Sequence, residues 1–368
     1  NKLFLLDAYA LIYRAYYAFI KNPRINSKGF NTSAILGFVN TLEEVLKKEN
    51  PSHIGVAFDP SGPTFRHEAF EQYKAQREET PEAIRLSVPI IKDIIHAYRI
   101  PILEVAGYEA DDVIGTLATE AGRQGITTYM MTPDKDYGQL VTDNVFMYRP
   151  KHTGGFEVMG IEEVKAKFDI QSPAQVIDML GLMGDASDNI PGCPGVGEKT
   201  AQKLIAEFGS IENLLEHTDQ LKGALKTKVE TNKELITFSK FLATIIIDVP
   251  IQLEMDKLVR EQADEDSLRQ IFEELEFRTL IDRVLKKENS AGGVTMATGS
   301  KTATAKSAPS PLPLFPEEGG AIQGDLFANF TGNEAGEAKK SNLETLESLN
   351  CDYQLIDTEK KRAEIIQK

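Results

Sequence analysis

Four short apolar runs in the first half of the chain are each followed closely by acidic residues. The runs at 2–6 and 54–58 end in Asp7 and Asp59. The runs at 100–105 and 126–132 precede the other acids of this set, which are Glu109, Asp111, Asp112, Asp134 and Asp136. Helical patterns separate the runs, and a fifth run occupies 145–148. This alternation predicts an α/β fold, in which helices flank a parallel sheet joined by right-handed crossovers.

The acidic residues are expected to lie together, because ligand sites of parallel sheets form beyond the carboxyl ends of the strands. Carboxylates at such short separation repel one another, and a hard divalent cation such as Mg²⁺ relieves the repulsion. One acid after a strand is commonly a turn or cap residue, and a cap at the helix predicted from Val113 is the alternative for Glu109, Asp111 and Asp112. The same placement after four strands favours a shared metal site.

From about residue 161 the apolar pattern is helical throughout, which predicts a second, all-α domain. Asp185 and Asp188 follow an apolar segment and, three residues apart, are expected to share a helical face. A Gly/Pro-rich turn comes next and contains Gly195, Val196 and Gly197. Such a turn predicts a helix–hairpin–helix, whose backbone N–H groups bind nucleic-acid phosphates, although a plain tight turn between helices is the alternative.

Composition restricts the class of protein more than it identifies it. The 368 residues carry a net charge of −15, which by itself argues against a nucleic-acid partner, but local basic patches matter more than the sum. Two distant cysteines give no disulfide framework, and no apolar run is long enough for a membrane span. A cytoplasmic location is therefore expected. The predicted segments are an α/β domain at 1–160, a helical domain at 161–288, a disordered linker at 289–342 and the start of another domain at 343–368.

The sequence resembles the N-terminal 5′-nuclease domain of bacterial DNA polymerases, a member of the flap endonuclease family, over residues 2–285. The matching motifs are Leu5-Leu6-Asp7, Tyr13-Arg14-Ala15, Ala57-Phe58-Asp59, Phe65-Arg66-His67-Glu68, Tyr73 to Arg77, Gly107 to Asp112, Asp134-Lys135-Asp136, Gly184 to Gly192, and Gly195 to Ala201. Ala8 departs from the glycine usual in such proteins. The resemblance implies a PIN/resolvase-like sheet domain with a helical arch at about 64–98, followed by a helix–hairpin–helix (H3TH) domain. It also implies that residues 343–368 begin a 3′–5′ exonuclease-like domain.

The activity implied by the resemblance is structure-specific 5′ cleavage of DNA, as a 5′–3′ exonuclease and 5′-flap endonuclease that uses two Mg²⁺ ions, with Mn²⁺ as a substitute. The resemblance assigns one ion to Asp7, Asp59, Glu109 and Asp111. It assigns the second ion to Asp134, Asp136, Asp185 and Asp188, with Asp112 acting through water. Lys74 and Arg77 would stabilise charge on the scissile phosphate, and Arg14 is a further catalytic candidate.

The resemblance also implies the DNA contacts and the partners. Tyr73 would stack on a terminal base, and the duplex would be held by Gly195, Val196, Gly197, Lys199, Thr200 and Lys203, with K⁺ as a candidate ion at the hairpin. The substrates would be DNA with 5′ flaps, nicks or RNA-primer ends, processed by a monomer that carries a polymerase domain in cis and acts in Okazaki primer removal and DNA repair. In the linker, the stretch 323–327 resembles a sliding-clamp peptide, in which Gln323, Leu326 and Phe327 would be the anchors.

Two other functions compete with this interpretation. A non-catalytic DNA-junction binder would use the acids only for structural metal, and the presence of Lys74 and Arg77 beside a complete acidic set argues against it. A metal-dependent phosphohydrolase of small molecules would explain the sheet and the acids. It would not explain the helix–hairpin–helix or the arch.

Overall fold

The computed structural model of the protein describes residues 1–151 and 154–285. Its strands are β1 (Lys2–Asp7), β2 (His53–Ala57), β3 (Ile102–Leu103), β4 (Thr127–Met131), β5 (Val145–Pro150) and β6 (Phe156–Met159). They form one sheet in the order β3-β2-β1-β4-β5-β6, in which β1 to β5 pair in parallel. The predicted α/β class is thus confirmed, whereas the antiparallel edge strand β6 was not predicted. The linker, the piece at 343–368 and the clamp-like stretch lie outside the described residues.

The helices alternate with the strands at first and then follow one another without strands. The first five are α1 (Ala8–Ala18), α2 (Ser33–Lys48), α3 (Phe65–Ala69), α4 (Glu82–Ala97) and α5 (Ala110–Arg123). The next six are α6 (Ile161–Phe168), α7 (Val176–Met183), α8 (Glu198–Phe208), α9 (Ile211–Glu216), α10 (Gly223–Thr231) and α11 (Lys233–Ala243). The last three are α12 (Met255–Leu258), α13 (Glu265–Glu274) and α14 (Arg278–Val284). No described helix combines the length and apolar character of a membrane span.

The two faces of the sheet carry two separate hydrophobic clusters. Alternate residues of β1 point to opposite faces, as strand geometry requires. Phe4 and Leu6 pack in the cluster formed by α1, α2, α4, α13 and α14. Leu3 and Leu5 pack in the other cluster, which contains α5 and also α7, α8 and α11. The helices predicted as a separate domain therefore share one core with the sheet, and all described residues fall in one compact unit.

Two predicted segments differ from the structure. The helix predicted over 264–287 is interrupted between α13 and α14, where Glu276 takes the left-handed conformation with a φ of 65°. The segment predicted as the arch, about 64–98, is partly packed in the core, because α4 buries Ile84, Ile91, Ile94 and Ile95 there. Only the turn-rich stretch 70–81 is left outside helices, and most of its side chains are exposed.

Candidate active site

The first group of acidic side chains lies at the carboxyl ends of β1 and β2 and at the start of α5. Asp7 is the last residue of β1, and its Oδ1 accepts a hydrogen bond of 3.1 Å from the Ala10 N–H. Asp59 follows β2, and its Oδ1 accepts a hydrogen bond of 2.8 Å from the Ala110 N–H. That bond joins the end of β2 to the N-terminus of α5, where Glu109 is the N-cap. The parallel register thus gathers acids that are distant in sequence.

Burial and mutual repulsion raise the pKa of three carboxyl groups in this first group. Burial, followed by the charge of Asp59, raises the pKa of Asp7 to about 7. Burial also raises the pKa of Asp59, although the Lys74 ammonium opposes the rise. Burial, followed by the charge of Asp112, raises the pKa of Asp111 well above its usual range. The ionised forms of these carboxyl groups are therefore unfavourable in the protein alone. A site that binds a positive charge would offset this cost.

Asp134 and Asp136 belong to a second group, on the connection after β4. Asp134 is the N-cap of the 3₁₀ turn Lys135–Leu140, and its Oδ1 accepts a hydrogen bond of 2.9 Å from the Asp136 N–H. Burial raises the pKa of both carboxyl groups, and the charges of Asp185 and Asp188 raise both further. In the part of the chain that is described, Asp136 Oδ1 is the one buried side-chain oxygen or nitrogen without a hydrogen-bond partner. Such an orphaned oxygen is costly unless a ligand meets it.

Asp185 and Asp188 complete the second group on a tight turn after α7. They do not share a helical face as predicted, because Gly184 ends α7 with a φ of 75° and the chain turns back. Two backbone hydrogen bonds between Asp185 and Ile190, of 2.9 and 2.8 Å, close this turn. Asp185 Oδ2 lies 2.9 Å from the Lys135 ammonium, so the turn is tied to the connection after β4.

Lys74 and Arg77 are inserted between the two acidic groups. Lys74 Nζ lies 2.8 Å from Glu109 Oε1 and 3.7 Å from Asp188 Oδ2, so its ammonium bridges the groups. Arg77 Nη2 lies 2.6 Å from Asp188 Oδ1. Burial acts to raise the pKa of Glu109 and of Asp188, but Lys74 with the arginines near each carboxylate more than offsets it, and both pKa values are lowered. The structure therefore brings the two predicted catalytic cations into direct contact with predicted metal ligands.

These ion pairs determine whether the carboxylates, as they are arranged in the structure, can bind a metal ion. Within residues 1–151 and 154–285, no three acidic, histidine or cysteine side chains are placed so that they could hold one metal ion as they stand. Glu109, Asp185 and Asp188 are turned towards lysine and arginine side chains instead. The donor set is nevertheless made of carboxylate oxygens, which Mg²⁺ prefers, and Asp136 Oδ1 has no competing partner. The residues therefore fit a divalent cation. The assignment of individual ligands stays a prediction, because metal binding would require these ion pairs to rearrange.

Asp112 is bonded to Arg66 and to backbone N–H groups. Its Oδ2 and Oδ1 each accept a hydrogen bond of 2.8 Å from Arg66, through Nη1 and Nη2 respectively. The N–H groups of Glu109 and Ile246 donate to the same carboxylate at 3.1 and 2.8 Å. Asp112 is 0% exposed, and its oxygens are already satisfied by these donors. Asp112 thus anchors the start of α5, and its action on a metal through water stays a prediction.

Tyr73 is buried, which contradicts the prediction that it stacks on a terminal base. Its exposed fraction is 3%, and its ring meets the His67 ring edge-on with 5.2 Å between centroids. Its hydroxyl donates to Glu109 Oε2 and Asp188 Oδ2 at 3.0 and 3.1 Å. Tyr73 therefore orients two of the predicted metal ligands from within the core.

Arg14 is the remaining predicted catalytic cation, and it lies on α1. Its Nη2 donates a hydrogen bond of 3.3 Å to the Lys151 carbonyl, on the connection between β5 and β6. This contact does not itself support a role at the scissile phosphate. The role of Arg14 stays a prediction.

The turn predicted as a hairpin joins α7 to α8. Gly195 has a φ of 77°, a conformation that favours glycine. Val196 is 4% exposed, so the prediction that it contacts DNA can hold only for its backbone. The other predicted contacts are at the surface, with Thr200 half-buried and Gly195, Gly197, Lys199 and Lys203 exposed. Lys228 on α10 also reaches the hairpin, where its ammonium donates to the Gly195 carbonyl at 3.1 Å.

The N-terminus of α8 has no side-chain cap and is open to solvent. Gly197, its N-cap, has φ −98° and ψ −179°, which any residue can adopt, and a Cβ there would meet no heavy atom within 4 Å. Among the described residues, this 11-residue helix has no side-chain cap hydrogen bond at its N-terminus. The protein's own packing therefore does not require glycine at this position. A close approach by an anionic partner to the free N–H groups would require it.

Arg66 and Lys135 are site residues to which the sequence analysis assigned no role. Arg66 is 1% exposed and reaches the carbonyl of Leu242, 176 positions away, so no local pattern could have revealed its partner. Lys135 stands between Asp134 and Asp136 in the sequence, and this position could have identified it as a site residue. The surplus of acids was a second signal, because buried carboxylates need cations nearby.

Two family models match the chain in succession. Residues 2–169 match "5′-3′ exonuclease, N-terminal resolvase-like domain", and residues 171–266 match "5′-3′ exonuclease, C-terminal SAM fold". DNA polymerase I of Bacillus subtilis (strain 168) is 43% identical over 287 residues, which cover 77% of this chain and 32% of that protein. The chain thus spans about a third of the length of this curated relative.

Solved structures support the fold. T5 5′-exonuclease with bound zinc gives a TM-score of 0.56 at 22% identity, and the match covers 75% of this chain and 99% of that chain. The bacteriophage T5 flap endonuclease in a complex with DNA and metal ions gives a TM-score of 0.55 at 22% identity, with 75% and 100% coverage. At this identity the comparison establishes the fold alone: a resolvase-like sheet followed by a helical domain, as predicted.

Proposed function

Because the chain belongs to the 5′–3′ exonuclease family, we propose that it hydrolyses DNA phosphodiester bonds at 5′ ends and at the base of 5′ flaps. The observation that carries the proposal is the convergence of two acidic groups, the second of which contains the orphaned Asp136 Oδ1. The open N-terminus of α8 is a second observation. Neither feature is explained by the packing of the protein alone. An anionic polymer and divalent cations explain both.

The acidic groups are proposed to hold two Mg²⁺ ions. Such ions would supply charge stabilisation for the attacking and leaving oxygens of the phosphodiester. The first group would use Asp7, Asp59, Glu109 and Asp111, and the second would use Asp134, Asp136, Asp185 and Asp188. The buried hydroxyl of Tyr73 would keep Glu109 and Asp188 oriented during the exchange of their ion pairs. The structural neighbour with bound zinc is consistent with divalent cations in general, and the choice of Mg²⁺ is part of the proposal.

Lys74 and Arg77 are proposed to transfer their contacts from carboxylate to phosphate. In the structure they neutralise Glu109 and Asp188. A cation that has released its carboxylate can donate to the scissile phosphate, where negative charge develops during hydrolysis. The backbone N–H of Lys74 donates to the Asp188 carbonyl at 3.0 Å, which keeps this stretch close to the acids.

Duplex DNA is proposed to bind at the hairpin through its phosphates, without sequence readout. Gly197 would allow the close approach, and the exposed ammonium groups of Lys199 and Lys203 would add charge. Lys228 is a further contact that the structure supports, because its ammonium lies at the hairpin. Whether K⁺ also binds there stays a hypothesis.

The Gly197→Ala variant is expected to bind DNA about tenfold more weakly and to melt at an unchanged temperature. The added methyl group meets nothing inside the protein but stands where a phosphate would approach. The measurement is the affinity for a duplex in EDTA, together with thermal unfolding. Gly160→Ala is the matched control, because Gly160 has the same N-cap backbone on α6 and its N–H is already bonded to Glu163 at 2.9 Å. Equal affinities for both variants would contradict a phosphate site at α8.

Cleavage of a 5′-flap duplex with and without Mg²⁺, beside an Asp134→Ala variant, tests the function itself. Metal-dependent cutting near the junction that is lost in the variant is the expected result. Mg²⁺ should also raise the melting temperature, because an ion at 100 times its dissociation constant stabilises the folded state by about 2.7 kcal/mol. Tight binding without cutting under any divalent metal would favour the non-catalytic junction binder.

The cellular role is proposed from the relatives, which are DNA polymerase I. We propose that the domain acts in cis with a polymerase, as a monomer in the bacterial cytoplasm, on Okazaki primer ends and during repair. The clamp hypothesis rests on Gln323, Leu326 and Phe327, which lie outside the described residues. Unchanged clamp binding after Leu326→Ala and Phe327→Ala would end it.

A further inference from the structure

A strap, residues 242–249, consists of the last two residues of α11 and the non-helical segment that follows, and it contacts the acid-bearing elements. The Ile246 N–H donates to Asp112 Oδ1 at 2.8 Å, and the Val249 N–H donates to Thr116 Oγ1 at 3.2 Å. Both acceptors lie on α5, which carries Asp111 and is capped by Glu109. The strap packs so closely on α5 that a Cβ at Gly115 would lie 2.8 Å from the Ile245 side chain.

The same strap is bonded to the second acid-bearing element through Gln139. The Gln139 amide nitrogen donates to the carbonyls of Ala243 and Asp136, both at 3.0 Å. Its amide oxygen accepts a hydrogen bond of 2.9 Å from the Ile245 N–H. The strap therefore contacts the carriers of both acidic groups, although it belongs to the helical part of the chain.

Arg66 joins the strap to the first acidic group. Its Nε donates to the Leu242 carbonyl at 3.0 Å, and its Nη2 donates to the Thr244 carbonyl at 2.7 Å. On the opposite side it forms the two 2.8 Å bonds to Asp112 and a third of 3.3 Å from Nη1 to Glu109 Oε2. These contacts use all five N–H donors of the guanidinium, which fixes its plane.

We propose that Arg66 is a positioning residue, which orients Glu109 for metal binding only while the strap holds the guanidinium. The inference rests on the proposed function, since it concerns how the acidic groups take up Mg²⁺. It makes the metal site depend on the helical part of the chain, because the strap continues directly from α11. On α11, Ser239 Oγ accepts a hydrogen bond of 3.0 Å from the Gly192 N–H of the hairpin. The helix α11 therefore connects the hairpin, where DNA is proposed to bind, to the strap.

A merely structural role for Arg66 makes a different prediction. A buried arginine that only filled and neutralised the core would lower the melting temperature when replaced, and the folded protein would bind Mg²⁺ as before. A positioning residue changes the Mg²⁺ affinity of the folded protein, because Glu109 then samples other orientations. The two roles are therefore separated by metal affinity and not by stability.

The decisive variant is Arg66→Lys, which keeps the charge beside Asp112 but cannot reach the strap and Glu109 together. We expect the Mg²⁺ concentration for half-maximal thermal stabilisation to rise about tenfold, as for other residues that orient metal ligands, with a parallel rise for flap cleavage. Tyr98→Phe is the control, because it removes a buried 2.6 Å hydrogen bond to Glu43 on the opposite face of the sheet. It should lower the melting temperature and leave the Mg²⁺ dependence unchanged.

Gln139→Leu keeps the test decisive should Arg66→Lys fail to fold. It removes the three Gln139 hydrogen bonds and leaves every charge in place, so a smaller rise in the half-saturating Mg²⁺ concentration is expected. An unchanged Mg²⁺ dependence in the variant that folds would overturn the positioning role. Failure of the wild-type protein to bind Mg²⁺ or to cleave would instead overturn the proposed function, so the two failures are distinguishable.

Discussion

Replacing Asp136 by asparagine is expected to stabilise the metal-free protein and to abolish the proposed nuclease activity. The carboxylate is buried among Asp134, Asp185 and Asp188, and its Oδ1 has no partner. The amide has the same shape without the charge, so the repulsion disappears, and one pKa unit of such repulsion corresponds to about 1.4 kcal/mol. We expect the free energy of unfolding in EDTA at mildly alkaline pH to rise by about 1–2 kcal/mol. Flap cleavage in Mg²⁺ should fall about 100-fold or more.

The direction of the pH effect follows from the same carboxyl group. Its pKa is raised in the folded state, so its ionised form opposes folding and the penalty is complete only above the folded-state pKa. The stability gain of Asp136→Asn should therefore shrink as the pH falls. Asp188→Asn is the matched control, because Lys74 and Arg77, the latter at 2.6 Å, outweigh burial and lower the pKa of Asp188. There the same change should destabilise the protein by about 2–3 kcal/mol. A loss of stability in both variants would show that Asp136 is not strained.

Replacing Lys74 by methionine should lower cleavage and strengthen metal binding at the same time. The ammonium is bonded to Glu109 at 2.8 Å and faces Asp188, so it competes with a cation for both carboxylates. Without it, the Mg²⁺ concentration for half-maximal thermal stabilisation should fall. Cleavage at saturating Mg²⁺ should nevertheless drop by about 10²–10³-fold, the usual loss when one donor to developing negative charge is removed.

Lys92→Met provides the comparison for Lys74→Met. Lys92 is also paired with a carboxylate at 2.7 Å, that of Glu104, and also lies over an aromatic ring, that of Phe58. Its replacement should leave both cleavage and Mg²⁺ dependence unchanged. Weaker Mg²⁺ binding in Lys74→Met would mean that the lysine supports the metal site and does not compete with it.

The sheet and the acidic edge could be predicted because both depend on local patterns. Buried parallel strands are continuous apolar runs, and an acid that follows such a run must lie at the carboxyl edge. Asp7 and Asp59 are found there. The left-handed break at Glu276 and the antiparallel strand β6 could not be predicted, because neither interrupts the apolar pattern that precedes it.

The partners of the charged and aromatic residues could not be predicted, because they are set by tertiary contacts. The pattern around Tyr73 and Lys74 is that of an exposed polar stretch, yet Tyr73 is buried against Glu109. Asp112 differs from Asp111 only by one position, but the helix turns it towards Arg66. A sequence motif can therefore identify the acidic residues, whereas tertiary contacts determine which of them are available to bind a metal.

The return of α13 and α14 to the sheet has a consequence for the order in which the chain folds. Leu268, Phe272 and Leu280 are buried in the cluster that holds Phe4 and Leu6, so the first strand is covered by the last helices described. Contacts between such distant segments form late, after the intervening chain has been made. At 5–20 residues per second, translation of 285 residues takes on the order of 15–60 s. The part of that face which α13 and α14 cover therefore stays exposed on the nascent sheet until synthesis has passed α14.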